Sequence, residues 1–256
     1  MSESPTDSLS SVEKTLRLLK SFDGQNPVWR VGELAETLGF SKSTVSRLIQ
    51  TLVDEEFLAP DSDGPGYRLG SALLALGGNY VSDSELYNEV APVLNKLVLE
   101  TGESAHIAIR NKHKVLYLNK QIGLHYSDIK TQVGSINPSH ATSSGKVLLA
   151  YSPEETVEVI LNSDLEAFTE HTLTNPIKLA KQLDKVRQQG YATSMEELSY
   201  GNYSIAAPVF DYENKVVCAI TIVGPVSRLT KEKLERFCKL IVRSAKEASE
   251  RLGYER

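Results

Sequence analysis

The chain has 256 residues, 41% of them hydrophobic and 24% charged, with a formal net charge of −5; these are the proportions of folded globular proteins, they exclude a disordered or fibrous chain, and the length suits two modest domains. No run approaches the roughly 18–20 unbroken apolar residues that span a bilayer, and the polar start from Met1 to Ser11 lacks an apolar targeting region, so a cytoplasmic protein without membrane attachment is expected. Cys218 and Cys238 lie in apolar or amphipathic segments and read as buried reduced thiols; with His106, His113, His125, His140 and His171 scattered without ligand-like spacing, neither a metal nor another cofactor is expected.

Val12, Leu16, Leu19 and Phe22 recur at the interval of one buried helix stripe, closed by Gly24 and Pro27. A second stripe, Val31, Leu34, Ala35 and Leu38, runs to Gly39, where tolerance of positive φ permits a tight turn. Ser41 then offers the capping oxygen of a third helix. In that helix Val45, Leu48, Ile49 and Leu52 face inward, which leaves Lys42, Ser43, Thr44, Ser46, Arg47 and Gln50 as a polar face crowded toward the N-terminal end. A helix in the major groove presents its early residues to base edges, where Arg pairs bidentately with guanine and Gln with adenine. Arg47 and Gln50 are therefore the base-reading candidates, with Lys42, Ser43, Thr44 and Ser46 reaching bases or phosphates. Asp54, Glu55 and Glu56 at the far end would repel phosphate and are expected to point away. Total charge does not reveal this face, since Ser10–Gly70 holds seven basic and nine acidic residues; placement of a few contacts matters more than the sum. Phe57–Pro60, an Asp- and Gly-rich turn from Asp61 to Gly66, and Tyr67–Leu69 predict a short hairpin, a wing that carries Arg68. Three helices with one polar face also suit an ordinary packed helical unit; the hairpin and the Gly39 turn favour a winged helix-turn-helix.

Between Ser71 and Thr101 the pattern is helical, with Leu73, Leu74, Leu76, Val90, Val93, Leu94, Leu97 and Val98 interrupted near Gly77-Gly78 and Asp83-Ser84. The expected division is a DNA-binding domain over residues 1–70, a linker helix over 71–83 and a second domain over 84–256. From Glu103 the period falls to two, predicting strands at Ala105–Ile109 and Val115–Leu118 joined by a turn at Asn111-Lys112. Further strands are expected at Ser204–Phe210 and Lys215–Val223, and helices at Gly145–Ala150, Pro153–Leu161, Pro176–Gly190 and Leu229–Leu252. Strands and helices kept in separate runs argue an α+β class with an antiparallel sheet. The run His140–Lys146 precedes an apolar helix, so backbone N–H groups and the positive dipole end point out of Ser143, Ser144 and Gly145, a candidate anion corner; simple capping by Ser143 or Ser144 is the alternative. Ser204 is the polar member of an apolar strand, and Thr221 shares a face with Val217, Ala219 and Val223, where a buried hydroxyl needs a partner.

Taken together, Ser11-Val12-Glu13 through Leu19, Leu34-Ala35 to Gly39, Ser41–Leu48, Tyr67–Gly70, His140–Ala150, Gly190-Tyr191, Glu196-Glu197, Ile205–Val209 and Gly224-Pro225 resemble the IclR family of bacterial regulators over nearly the whole chain. Glu56 departs from that pattern, standing where the family usually has Gly before the wing. The resemblance implies a GAF-like sensor domain, linker helices that contribute to dimer contacts, and a homodimer that pairs into a tetramer in some relatives. It also implies an effector pocket lined by the equivalents of Ser194, Asn202, Ser204 and Thr221, with Tyr126 and Ile129 on an apolar loop and the Ser143–Gly145 corner in contact with the ligand, in a family that often senses small carboxylates or aromatic acids. Some relatives carry an acidic residue at the position of Ser194, whose hydroxyl cannot make the same charged contact.

Enzyme readings fare worse. Ser143–Lys146 satisfies S-x-x-K, but the companion S-D-N and K-T-G motifs are missing, and a phosphate-binding loop would need Gly and Ser or Thr where His140 and Val147 stand. No catalytic residue is assigned. The expected function is a sequence-specific DNA-binding regulator modulated by a small organic or aromatic acid; the alternatives are a small-molecule-binding enzyme with an incidental helix-turn-helix, and a constitutive DNA-binding protein with a vestigial sensor domain.

Overall fold

The structure, a computed structural model, describes residues 10–125, 129 and 131–255. It divides into two compact units between Asp83 and Ser84.

The first unit contains α1 (Ser11–Leu19), α2 (Val31–Leu38), α3 (Lys42–Asp54), the strands β1 (Leu58–Pro60) and β2 (Tyr67–Leu69), and α4 (Ser71–Ser82). Its local signals match its elements. Ser10 and Glu13 close a capping box on α1, and Gly39 ends α2 with φ 67°. The Ser41 hydroxyl accepts from the Thr44 N–H at the start of α3. Leu18, Phe22, Leu34, Phe40, Val45, Ile49, Leu52 and Leu58 form one core. Two expectations are corrected. Val12 and Leu16 are 68% and 49% exposed while Leu18 is fully buried, because α1 meets the core only through its C-terminal end, where Leu18, Leu19 and the following Phe22 pack. The helix of residues 71–82 also runs through Gly77-Gly78 unbroken, since the ladder needs no side chain there and a Cβ at either glycine would meet open space. No residue of α4 is buried, and Leu74, Leu76 and Tyr80 are exposed.

The second unit contains α5 (Glu85–Thr101), β3 (Ser104–Asn111), β4 (Lys114–Gln121), β5 (Ile136–Pro138), α6 (Ser143–Ala150), α7 (Glu154–Leu161), α8 (Pro176–Gln189), β6 (Ala192–Met195), β7 (Asn202–Phe210), β8 (Val216–Pro225) and α9 (Lys231–Arg251). The strands form one antiparallel sheet in the order β5-β4-β3-β8-β7-β6, so the class is α+β as the sequence indicated. The short edge strands β5 and β6 were not expected. Period-two alternation splits the sheet into two faces. Ile107, Ile205, Cys218, Ile220 and Ile222 pack on α5 and α9. Ala108, Ala206 and Ala219 face α6, where small side chains let helix and sheet approach closely. Burial pushes the Cys218 thiol well above its ordinary pKa, in keeping with a free, inert cysteine.

Candidate functional site

In the first unit, the inward turns of α3 are fixed by Val45, Ile49 and Leu52, and this leaves Lys42, Ser43, Ser46, Arg47 and Gln50 exposed, with Thr44 half-buried. The Ser41 hydroxyl lies 3.0 Å from that of Ser43 and 2.8 Å from that of Thr44, a polar cluster at the positive end of the helix. Among the described residues no ion pair engages Lys42 or Arg47, so both cations are available to an anionic partner. Gln50 donates 2.8 Å to Asp54, turned toward the far end of the helix. Arg68 on the wing is held by Asp61, whose carboxyl the guanidinium pulls below its usual range. Glu56 adopts φ 59°, the left-handed region that favours glycine.

In the second unit a cavity of about 480 Å³ lies over the α6 face of the sheet. Its floor follows from strand register, because direct antiparallel partners project from the same face. Lys120, His106 and Thr221 form one cross-strand row, and Val223, Ser204 and Ser194 form another. Ser194, Asn202, Ser204, Thr221 and Ile129 line the cavity, together with His106, Tyr117, Asn137, Ala141 and Thr142. Tyr126 lies outside the described residues. Ser143, Ser144 and Gly145 stand behind the cavity wall: the Ser143 hydroxyl donates 2.8 Å to Ser204, that of Ser144 lies 3.3 Å from the Tyr117 hydroxyl, and a Cβ on Gly145 would collide with the Ser139 carbonyl oxygen. Thr142, not either serine, caps α6, accepting from the Gly145 N–H at 3.1 Å and donating to the Pro138 carbonyl at 3.0 Å.

The polar groups of the floor are already partly committed. Ser194 donates to the Ala141 carbonyl at 3.0 Å, and Asn202 donates to the Ser199 hydroxyl at 3.2 Å. Behind the wall, fully buried Lys146 holds the Glu197 carboxylate at 2.5 and 2.6 Å and the Thr193 carbonyl at 3.2 Å, which ties α6 to the chain leading into the lining residues Leu198, Ser199 and Tyr200. Burial lowers the Lys146 pKa, and Glu197 opposes that shift. Lys120 donates to the carbonyls of Ile129 and Thr131, two residues that line the cavity, at 2.9 and 2.7 Å. Burial, with Lys120 nearby, pushes His106 down to about 3, so the imidazole is neutral. No described lining residue then carries a formal charge at neutral pH. Sequence reasoning passed over His106, Tyr117, Thr142 and the Lys146–Glu197 pair; a lone polar residue in the apolar run Ala105–Ile109 was the available signal for His106. Among the described residues no cluster of His, Cys, Asp and Glu could hold a metal, and no helix is long and apolar enough to cross a membrane.

Residues 78–250 match the family model for the C-terminal part of the bacterial transcriptional regulator IclR, and residues 11–62 match that for the IclR helix-turn-helix domain. The chain is 30% identical to the HTH-type transcriptional regulator KdgR of Dickeya chrysanthemi over 97% of this chain and 81% of that protein. Among solved structures it is similar to an IclR transcriptional regulator from Alicyclobacillus acidocaldarius, with a TM-score of 0.86 and 29% identity over 96% of this chain and 99% of that one. It shares its fold with an IclR homologue from Microbacterium hydrocarbonoxydans in complex with 4-hydroxybenzoate, with a TM-score of 0.85 and 22% identity over 95% of this chain and 99% of that one.

Proposed function

The chain belongs to the IclR family of bacterial transcriptional regulators, and we propose that it binds operator DNA through α3 under the control of a small organic acid held in the cavity of the second unit. The observation that carries this reading is the exposure of Lys42 and Arg47, which no ion pair engages among the described residues, on the polar face of α3, in a helix-turn-helix that the family match identifies. Arg47 and Gln50 read base edges, Gln50 by leaving Asp54; Lys42, Ser43, Thr44, Ser46 and the wing residue Arg68 hold phosphates or bases. Ser194, Asn202, Ser204, Thr221 and Ile129 contact the effector, and the Ser143–Gly145 corner acts through Ser204 and the positive end of α6. The 4-hydroxybenzoate in the complex of the Microbacterium homologue, which shares this fold, supports an acid as ligand.

A homodimer would set two recognition helices in successive major grooves about 34 Å apart, and could pair further into a tetramer. The apolar side chains that α4 leaves uncovered support self-association. Action on DNA places the protein in the cytoplasm, and binding without chemistry accounts for the cavity. Selection of DNA fragments by the full-length protein, followed by binding titrations with and without acids that raise its melting temperature, tests this reading. Near-palindromic sites are expected, with a ligand-dependent shift of about 1–3 kcal/mol in operator affinity. A ligand that stabilises the protein yet leaves DNA affinity unchanged would remove the regulatory coupling, and absence of sequence enrichment would remove the α3 assignment.

A further inference from the structure

Among the described residues, four buried side-chain polar atoms lack a hydrogen-bond partner: His106 Nε2, Asn119 Nδ2, Tyr203 Oη and Thr221 Oγ1. Three of those four residues line the same cavity. Folded proteins leave few such atoms, because each forfeits its hydration without return, so their concentration at one place points to a partner that comes from outside the chain. Two of them are neighbours. His106 and Thr221 are direct partners across β3 and β8 and project from the same face of the sheet. They are only 2% and 3% exposed. The serines of the adjacent row are by contrast engaged, Ser204 by Ser143 and Ser194 by the Ala141 carbonyl.

Resting on the reading of this cavity as the effector site, we propose that His106 and Thr221 together bind a hydroxyl group of the effector, which is a small hydroxy acid with its carboxylate held away from the floor. A neutral imidazole nitrogen and a threonine hydroxyl can each complete a hydrogen bond with a ligand hydroxyl, one as donor to it and the other as acceptor from it. A carboxylate does not suit this position. The cation of the row, Lys120, aims its ammonium at the carbonyls of Ile129 and Thr131 and is not part of the lining, so a carboxylate on the floor would find no charged hydrogen-bond partner among the described lining residues. The acid end has a better place by Ala141 and Thr142, which line the cavity where α6 begins and where the helix dipole favours negative charge.

Calorimetric titration of the full-length protein with two matched pairs, 4-hydroxybenzoate against benzoate and 4-hydroxybutyrate against butyrate, tests the assignment. The hydroxylated member of at least one pair is expected to bind on the order of tenfold tighter or more, the scale of leaving buried polar groups unanswered. Thr221→Val, which keeps the side-chain shape, and His106→Phe, which keeps a ring, should each bring the ratio toward one by weakening the hydroxylated acid more than its deoxy partner. Equal affinities within both pairs, or a hydroxyl preference that survives both substitutions, would overturn the inference and leave the regulator reading standing. Failure of all four acids to bind would overturn both this inference and the acid-effector reading beneath it.

Discussion

The segments Ser41–Thr44 and Thr142–Lys146 have nearly the same composition, hydroxyl residues and one lysine opening a helix, and each is capped by a hydroxyl that accepts a backbone N–H, Ser41 from Thr44 and Thr142 from Gly145. In the first, Lys42 and Ser43 are exposed; in the second, every residue is buried and Lys146 is locked to Glu197. Local chemistry sets the cap and the dipole in both. What packs over the helix decides whether its polar groups stay open to solvent or become interior scaffolding.

Substitutions at the two lysines break the comparison most sharply. Lys146→Met or Glu197→Leu alone should cost the second unit about 3–5 kcal/mol in urea unfolding, because each leaves a buried charge unanswered, and the double substitution should recover most of it. Lys42→Ala should change stability by less than about 0.5 kcal/mol, yet weaken DNA binding uniformly across sequences and flatten its salt dependence by about one unit of log–log slope. Equal stability losses at both sites would mean that the two helix starts are not different environments.

Arg47→Ala should cost about 1–3 kcal/mol on the selected operator and much less on scrambled DNA, measured by competition binding; equal losses on both would reassign Arg47 to phosphate. The interior site also has a pH signature. With a folded-state pKa of about 3 against an ordinary 6.5, His106 contributes stability that is complete above pH 6.5 and is lost as the pH falls toward 3. Between pH 7 and 5 this loss should be about 2 kcal/mol greater than in His106→Gln, by denaturant unfolding of the second unit at each pH. Parallel profiles for the two proteins would show the imidazole to be solvated. The smallest effect is expected at Glu56→Gly, which relieves a left-handed residue and should raise the stability of the first unit by about 1 kcal/mol, less what the Ser71 contact to the Glu56 carboxylate supplies.

The α3 face was legible because helical periodicity is local: four inward residues fix the direction of all the rest. The same rule misjudged α1, since spacing alone does not say which end of the helix meets the core. Of the cavity lining, strand alternation singled out Ser204 and Thr221, and the family resemblance added Ser194, Asn202 and Ile129. His106 belongs to the floor because β3 lies between β4 and β8, and that strand order joins segments more than a hundred residues apart. Ser143 and Ser144 were expected at an open corner; the dipole argument gives the direction of their N–H groups correctly but is silent on Tyr117 and Ser204, which cover them.

The helix α4 has twelve residues and buries none of them within its own chain. In water that is about the length at which an unsupported helix is as readily melted as formed. Its persistence therefore depends on what covers Leu74, Leu76 and Tyr80, and if the cover is a second copy, dilution alone unwinds the segment between reading head and sensor. Protein concentration then sets how much of the segment is folded, and helix content that rises with concentration would be its spectroscopic mark.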